Sequence, residues 1–476
     1  MFINPSSGTT LPHLSLPMST PNSIEEKASN LEEHNESCSI HEGLDSDEVF
    51  KQTKDGVNFR TVGWPRASFI FLKVLFATGV LAIPSTMATL GTIGGALSLV
   101  GWGALNTYTA FIQGSFRNNH RQCHTIVDMA YLVGGPILRE ATSFIYLIAY
   151  IFCAGVGILG VSIALNALSD HAICSVWFSL VSTVFIVATA SIRKFHDIAW
   201  LTWAGFVSIF VAVLIIVIAV TTLDRPAAAP QTGDFDLGYY AILFPDFASG
   251  MVATCAIFIS TAGTSAFIPV IAEMRRPKDY NKALFCAMGF VTTSYLCFSL
   301  VVYRWCGKWV ASPSLGSAGP VIEKISYGIA LIGLVASGCL YLHVAAKYLF
   351  VRFLRNSRHL QSNTVIHWAT WLGCTISLGA ISFILVSAVP IFTYLISLCG
   401  ALCFAPLAIM LPACFWLYDH QNYWKGTKRQ VVIYILHLIL FILGTFVCIG
   451  GTYGAVQQIV NAFRSGAIGS AFSCDG

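Results

Sequence analysis

The chain has 476 residues, 55% of them hydrophobic and only 11% charged, with a net charge of +4. Soluble proteins carry about 25% charged residues, so too little polar surface remains to clothe a water-soluble globule. The small net charge says little about partners, and no nucleic-acid partner is expected.

In chain order, residues 1–60 come first. They are polar, with Pro, Ser and Asn early and an acidic stretch later that runs from Glu25 to Glu48. Such a composition does not bury a core; it predicts a disordered acidic tail and shows no signal-peptide pattern. From Trp64 onward the apolar runs reach the ~18–20 residues that cross about 30 Å of hydrocarbon as a helix. They are too long and too uniformly apolar for barrel strands. They predict an all-α integral membrane protein with about eleven transmembrane helices, over residues 67–90, 93–116, 141–168, 173–192, 198–222, 248–273, 281–304, 325–350, 365–388, 390–417 and 431–457. With the tail inside, about sixteen basic residues fall in loops on that side and five on the other. This bias predicts a cytosolic N-terminus and an external C-terminus. The loop 223–247, with Asp224, Asp234, Asp236 and Asp246, suits the outside.

Spans one and six have unusual interiors. Span one contains Ala77, Thr78, Gly79, Val80 and Leu81, with Pro84 just beyond; span six contains Ser260, Thr261, Ala262, Gly263 and Thr264, with Pro269 one turn later. Gly weakens a helix, and Pro deletes a donor and clashes with the preceding turn, so both spans are expected to unwind at mid-membrane. A kink or a small-residue packing contact is the alternative for either span alone. The breaks lie about 184 positions apart with five spans between their starts. Five is odd, so the second set runs antiparallel to the first, over 61–222 and 248–417, and residues 418–476 add an eleventh helix. Interrupted segments at matching places in inverted halves are the sequence mark of a transporter site. Unwound backbone offers N–H groups to a carboxylate and C=O groups to an ammonium, which is what a zwitterionic amino acid needs. No charged side chain sits at mid-span to neutralise a second substrate charge, so a small neutral amino acid is expected. All ten residues of the two breaks are candidate substrate contacts, with Cys153 on span three and Ser337 on span eight.

Three stretches resemble the amino acid/auxin permease family, and within it the fungal neutral amino acid permease branch. They are Phe59 to Trp64 followed by Lys73 and the Thr78–Pro84 run, then Glu273-Met274-Arg275-Arg276-Pro277-Lys278-Asp279-Tyr280-Asn281-Lys282-Ala283, and the tenth span from Ser397 through Gly400 and Pro406 to Pro412. The resemblance covers about residues 56–457. It implies a five-plus-five inverted repeat (LeuT-type) plus one extra helix. It also implies substrate held between helices one, three, six, eight and ten, and proton-coupled uptake, with sodium the lesser expectation. Where the family's helix-one motif has a first glycine, this chain has Ala77, which narrows the space for substrate.

Lys73 and Glu273 are candidates for gating or coupling; snorkelling and an ordinary interfacial carboxylate are the plainer readings. His343, His196 and Glu323 are proton-carrier candidates by residue type alone. Gly155-Val156-Gly157-Ile158-Leu159-Gly160 fits GxGxxG, but it lies inside an apolar span. It reads as a small face that lets span three approach the broken helices, with Tyr150, Cys153 and Gly157 as lining candidates. Cys399 and Cys403 read as small apolar filler. Cys174, Cys306 and Cys474 fall near predicted outer ends, where a disulfide has room to form. No metal site, cofactor or enzyme motif is expected. The expected place is the plasma membrane, with the vacuolar membrane the alternative. The rival functional class is a transport-dead amino acid sensor that signals through the acidic tail.

Overall fold

A computed structural model describes residues 62–76, 78–192, 195–354, 357, 359 and 364–466, the side chains of Thr78 and of residues 195–202 excepted. The acidic tail, Ala77, the His196 side chain and Cys474 therefore lie outside the described residues. The described residues are helical apart from turns and loops. The elements are α1 (Trp64–Leu75), α2 (Ile83–Asn119), α3 (Ile126–Leu168), α4 (Ser175–Ala190), α5 (Phe195–Thr221), α6 (Phe247–Ile259), α7 (Ile268–Glu273), α8 (Tyr280–Cys306), α9 (Pro320–Leu354), α10 (Val365–Ala388), α11 (Phe392–Asp419) and α12 (Lys428–Arg464). Among the described residues, nine helical stretches are long and apolar enough to cross a membrane. The shorter α4 and the interrupted first span bring the described crossings to the eleven expected.

Both anticipated interruptions are present. The first span stops at Leu75, makes a 3-10 turn over Thr78–Leu81 and restarts as α2; the sixth stops at Ile259, makes a 3-10 turn over Gly263–Phe267 and restarts as α7. Pro84 and Pro269 each stand in the first turn of the restarted helix, where no helical N–H is missed and the fixed φ suits the start. The prolines thus begin the second half-helices.

Two boundaries differ most from the sequence expectation. Spans one and two run together in α2, because the turn between them is only Gly91, at φ 76°. A Cβ there would stand 2.9 Å from the Ala241 carbonyl oxygen. The close approach lets the loop before α6 pair with the turn, with Thr92 N donating to Tyr240 O at 3.1 Å and Ile93 N to Ala241 O at 2.9 Å. Span three begins at Ile126 rather than near 141. Asp128, Arg139 and Glu140 break the apolar window, yet Thr125 and Asp128 form a capping box that starts a helix there. This first piece bends at Gly134 and Gly135 before the crossing proper.

The halves pack through small residues. A Cβ on Gly157 of α3 would lie 2.5 Å from the Gly338 Cα of α9, and one on Gly205 of α5 would lie 2.7 Å from the Ala336 Cβ of α9. The GxGxxG face therefore brings α3 against α9 and, through Gly155, against α10, rather than against the broken helices. Ser208 of α5 donates to Ile329 O of α9 at 2.7 Å and accepts from Gly333 N at 3.1 Å. The eleventh helix, α12, lies on α6 and α11 with Gly451 against Cys255 and Ala401. Cys174 is disulfide-bonded, whereas Cys306 is a buried free thiol.

Candidate functional site

The two interruptions meet. Gly79 lies so close to Ser260 that a Cβ on it would stand 3.1 Å from both the Cα and the Cβ of Ser260. Beside this contact is a cavity of about 50 Å³, lined by Val74, Leu75, Gly79, Ile259, Ser260 and Gly263 from the broken spans. Tyr150, Cys153 and Val156 of α3, Tyr341 of α9, and Ile396, Cys399 and Phe404 of α11 complete the wall. A water needs about 10–15 Å³ by this measure, so the space suits a handful of heavy atoms. Among the described residues, no charged side chain lines it.

The backbone groups freed by the breaks are held by side chains from neighbouring helices. At the end of α1, the Tyr341 hydroxyl donates to Val74 O at 3.2 Å and the Tyr295 hydroxyl of α8 to Leu75 O at 2.8 Å. At the end of α6, Asn106 of α2 donates to Phe258 O at 3.1 Å and to the Thr261 hydroxyl at 2.8 Å. Asn106 is fully buried. Without these donors the orphaned carbonyls of each half-helix would be buried and unsatisfied, at a cost of about 1–3 kcal/mol each.

The candidate residues fall into groups. Gly79, Ser260, Gly263 and Cys153 converge on the cavity. Val80, Leu81, Thr261, Ala262 and Thr264 are buried at the breaks but do not line it. Thr261 faces Asn106 instead, and the Thr264 hydroxyl is buried without a hydrogen-bond partner among the described residues. The Ser260 hydroxyl donates to Ile257 O at 2.6 Å, and its backbone N–H donates to the same carbonyl at 3.2 Å, so what this residue offers the cavity is acceptors, its carbonyl and the hydroxyl lone pairs. Ser337 lies in a second, smaller cavity of about 20 Å³ between α1, α5 and α9, together with Lys73, Phe76, Gly205, Phe206 and Tyr341. Its hydroxyl donates to Gly333 O of its own helix at 2.9 Å. Ala77 and the Thr78 side chain lie outside the described residues.

Glu273 is exposed at the end of α7. It is the backbone that makes the tie there: Val62 N donates to Glu273 O at 3.1 Å, and Arg275 N donates to Val62 O at 2.9 Å. The segment entering α1 and the one leaving α7 are thereby joined by a parallel bridge. His343 is buried with its Nδ1 3.2 Å from Ala190 O, away from both cavities.

Sequence reasoning missed Tyr341, Tyr295, Asn106, Ile259, Ile396 and Phe404, and took Cys399 for filler although it lines the cavity. A signal was present for α11. Gly400 and Pro406 open two π-helical turns, Gly400–Phe404 and Pro406–Met410, and such turns mark functional segments.

Comparison with known proteins agrees with this arrangement. The profile of the family described as "Transmembrane amino acid transporter protein" matches residues 60–457. A "Transmembrane transporter" of Gibberella moniliformis is 48% identical over 96% of this chain and 96% of its own length. The "N amino acid transport system protein" of Neurospora crassa is 28% identical over 87% of this chain and 89% of its own length. Among solved structures, the inward-facing conformation of Mhp1 superposes with a TM-score of 0.54 at 13% identity, covering 88% of this chain and 94% of that one. At that identity the likeness concerns the fold, which is the LeuT-type inverted repeat.

Proposed function

Because the chain belongs to the transmembrane amino acid transporter family, also known as the amino acid/auxin permease family, we propose that it is a secondary carrier that imports small neutral amino acids by proton symport. Amino acid transport through an integral membrane fold is the family's activity. The finer reading rests on one observation: two helix interruptions border a cavity that no charged side chain among the described residues lines. An amino acid with a charged side chain would bring a net charge into low dielectric with nothing to balance it, a cost of several kcal/mol. A zwitterion brings two opposite charges that the freed backbone serves. The second lone pairs of the carbonyls at the ends of α1 and α6, beyond those taken by Tyr341, Tyr295 and Asn106, suit the ammonium, and amides of the 3-10 turns suit the carboxylate. The size of the cavity favours glycine and alanine, and Ile259, Ile396 and Phe404 restrict longer side chains.

Alternating access follows from the half-helices hinging about their interruptions while the other spans hold the frame. The repeats are assigned to 61–222 and 248–417, with the loop 223–247 and the C-terminus outside, the tail in the cytosol and the plasma membrane as the place of action. Residues of the site are Gly79, Ser260, Gly263 and Cys153, with Tyr150, Tyr341, Cys399 and Phe404 added. Uptake of a panel of labelled amino acids into proteoliposomes, with and without an acid-outside gradient, tests the whole reading. Alanine and glycine are expected to accumulate when the outside is acid, and lysine and glutamate are not. Alanine binding without flux would favour the sensor, and uptake driven by sodium alone would defeat proton coupling.

A further inference from the structure

We infer that Lys73 is the group that carries the coupled proton, and that Tyr341 transmits its charge state to the substrate cavity; this deepens the symport reading and rests on it. A proton-coupled carrier must bind its proton beside the parts that move. Among the described residues, the side chain of Lys73 is the only one bearing a full charge that borders either central cavity. His343 lies between α9 and the end of α4, and Glu323 stands in the first turn of α9 beside Gly316, so neither borders them.

The setting of Lys73 makes its charge matter to the gate. It sits in the last turn of α1, where the backbone dipole favours a cation. Its ammonium lies 3.9 Å over the Trp203 ring of α5, a cation–π contact. A neutral amine keeps neither interaction, so protonation draws α1 towards α5 and α9, and deprotonation releases it. Tyr341 of α9 lines both cavities and donates its hydroxyl to Val74 O, the carbonyl next to Lys73. One side chain therefore touches the proton site, the broken end of α1 and the substrate space.

Charged and titratable groups also stand around Lys73. Arg66 on α1 is a second positive charge that bears on it. Tyr341 faces it from α9, and Tyr295 of α8 reaches the adjoining Leu75 carbonyl. The described part of α5 offers Trp203 and Phe206, which do not titrate. The step balances simply: the ammonium gives a proton to water on the alkaline side, leaving a neutral amine, and the amine takes one from hydronium on the acid side.

The test uses the full chain in proteoliposomes with labelled alanine, in two assays. Gradient-driven uptake requires the proton; exchange of labelled for unlabelled alanine at equal pH does not. Lys73→Gln has no proton to carry, and Lys73→Arg never loses its own. Both are expected to keep the thermal shift given by alanine, whose cavity Lys73 does not line, while exchange slows in Lys73→Gln, which lacks the charge that holds α1. Both are also expected to lose a stimulation by the acid gradient that is about tenfold or more in the unaltered chain, within the range of measured couplings. Stimulation retained by Lys73→Gln overturns the inference and leaves the symport reading intact. Loss of exchange together with loss of the thermal shift given by alanine, in both variants, makes Lys73 structural and overturns it too. Absence of gradient-driven uptake by the unaltered chain defeats the symport reading, and this inference with it.

Discussion

Gly79 and Gly263 occupy matching places, yet their surroundings differ. A Cβ on Gly79 would press on the backbone of Ser260 at 3.1 Å, whereas one on Gly263 would meet only the ends of Leu75 and Val74 at 3.6 and 3.7 Å. The first forces the two interruptions apart by tenths of an ångström; the second is ordinary contact. Gly79→Ala is therefore expected to lower alanine uptake about tenfold or more, and Gly263→Ala to leave it within about threefold, since small misplacements at a reacting site have large effects. Ser260→Gly added to Gly79→Ala removes one of the two close contacts and restores part of the loss. Equal effects of the two alanines on uptake would count against the contact as the determinant. Tyr295 acts at the same scale. Its buried hydroxyl serves the Leu75 carbonyl at 2.8 Å, and Tyr295→Phe leaves that carbonyl orphaned. A loss of about 1–3 kcal/mol is expected, read as a lower melting temperature of the purified protein. An unchanged melt would mean that water replaces the hydroxyl.

Among the elements, α6 is held at both ends by side chains from outside its apolar run. At its broken end stands Asn106; at its start Asp246 is the N-cap, accepting from Ser249 N at 3.1 Å. The hydrogen bonds from Ser249 hold the Asp246 carboxyl below the usual carboxylate range. The sign follows from linkage: a depressed folded value means the cap stabilises at any pH above the unfolded value of about 3.9, and its contribution fades as the pH falls through the folded value. The difference in melting temperature between the unaltered chain and Asp246→Ala is thus expected to stay constant from pH 7 to pH 5 and to shrink only in stronger acid. A difference that vanishes near pH 6 would contradict the capped carboxylate. The same two ends show what a sequence discloses. The interruptions are legible because Gly, hydroxyl residues and Pro act on their own backbone within a few positions. The groups that satisfy the interruptions are not, because Asn106 is 152 residues from Phe258 and Tyr295 is 220 from Leu75. A lone Asn or Tyr in an apolar window carries no record of the carbonyl it will meet. Likewise Cys399 becomes a wall of the cavity only because α11 packs on α3, where its thiol meets the Ala149 carbonyl 250 residues away.

For the molecule as a whole, the cavity opens only if some pair of elements separates, and the bridge between Val62 and the end of α7 identifies one pair. The segment entering α1 and the segment leaving α7 exchange two backbone hydrogen bonds, and behind them Phe71 of α1 stacks on Phe267 at 4.1 Å. These contacts tie two half-helices from opposite repeats, so the two either separate by breaking the bridge or move together. Val62→Pro removes the N–H that donates to Glu273 while keeping an apolar side chain. One backbone hydrogen bond is worth about 0.5–1.5 kcal/mol net, which shifts a two-state equilibrium by roughly two- to tenfold. If breaking the bridge opens the cavity, the open population rises by that factor in the variant. Cys153 reports it, being a free thiol on the cavity wall. Its labelling by a small polar maleimide, followed by peptide mass spectrometry, is expected to quicken about two- to tenfold in Val62→Pro and to slow again when alanine is added. Cys286 and Cys297, exposed on α8, serve as controls whose labelling does not differ between the variant and the unaltered chain. Unaltered labelling of Cys153 in a well-folded variant would mean that α1 and α7 move as one body, with the bridge intact throughout the cycle.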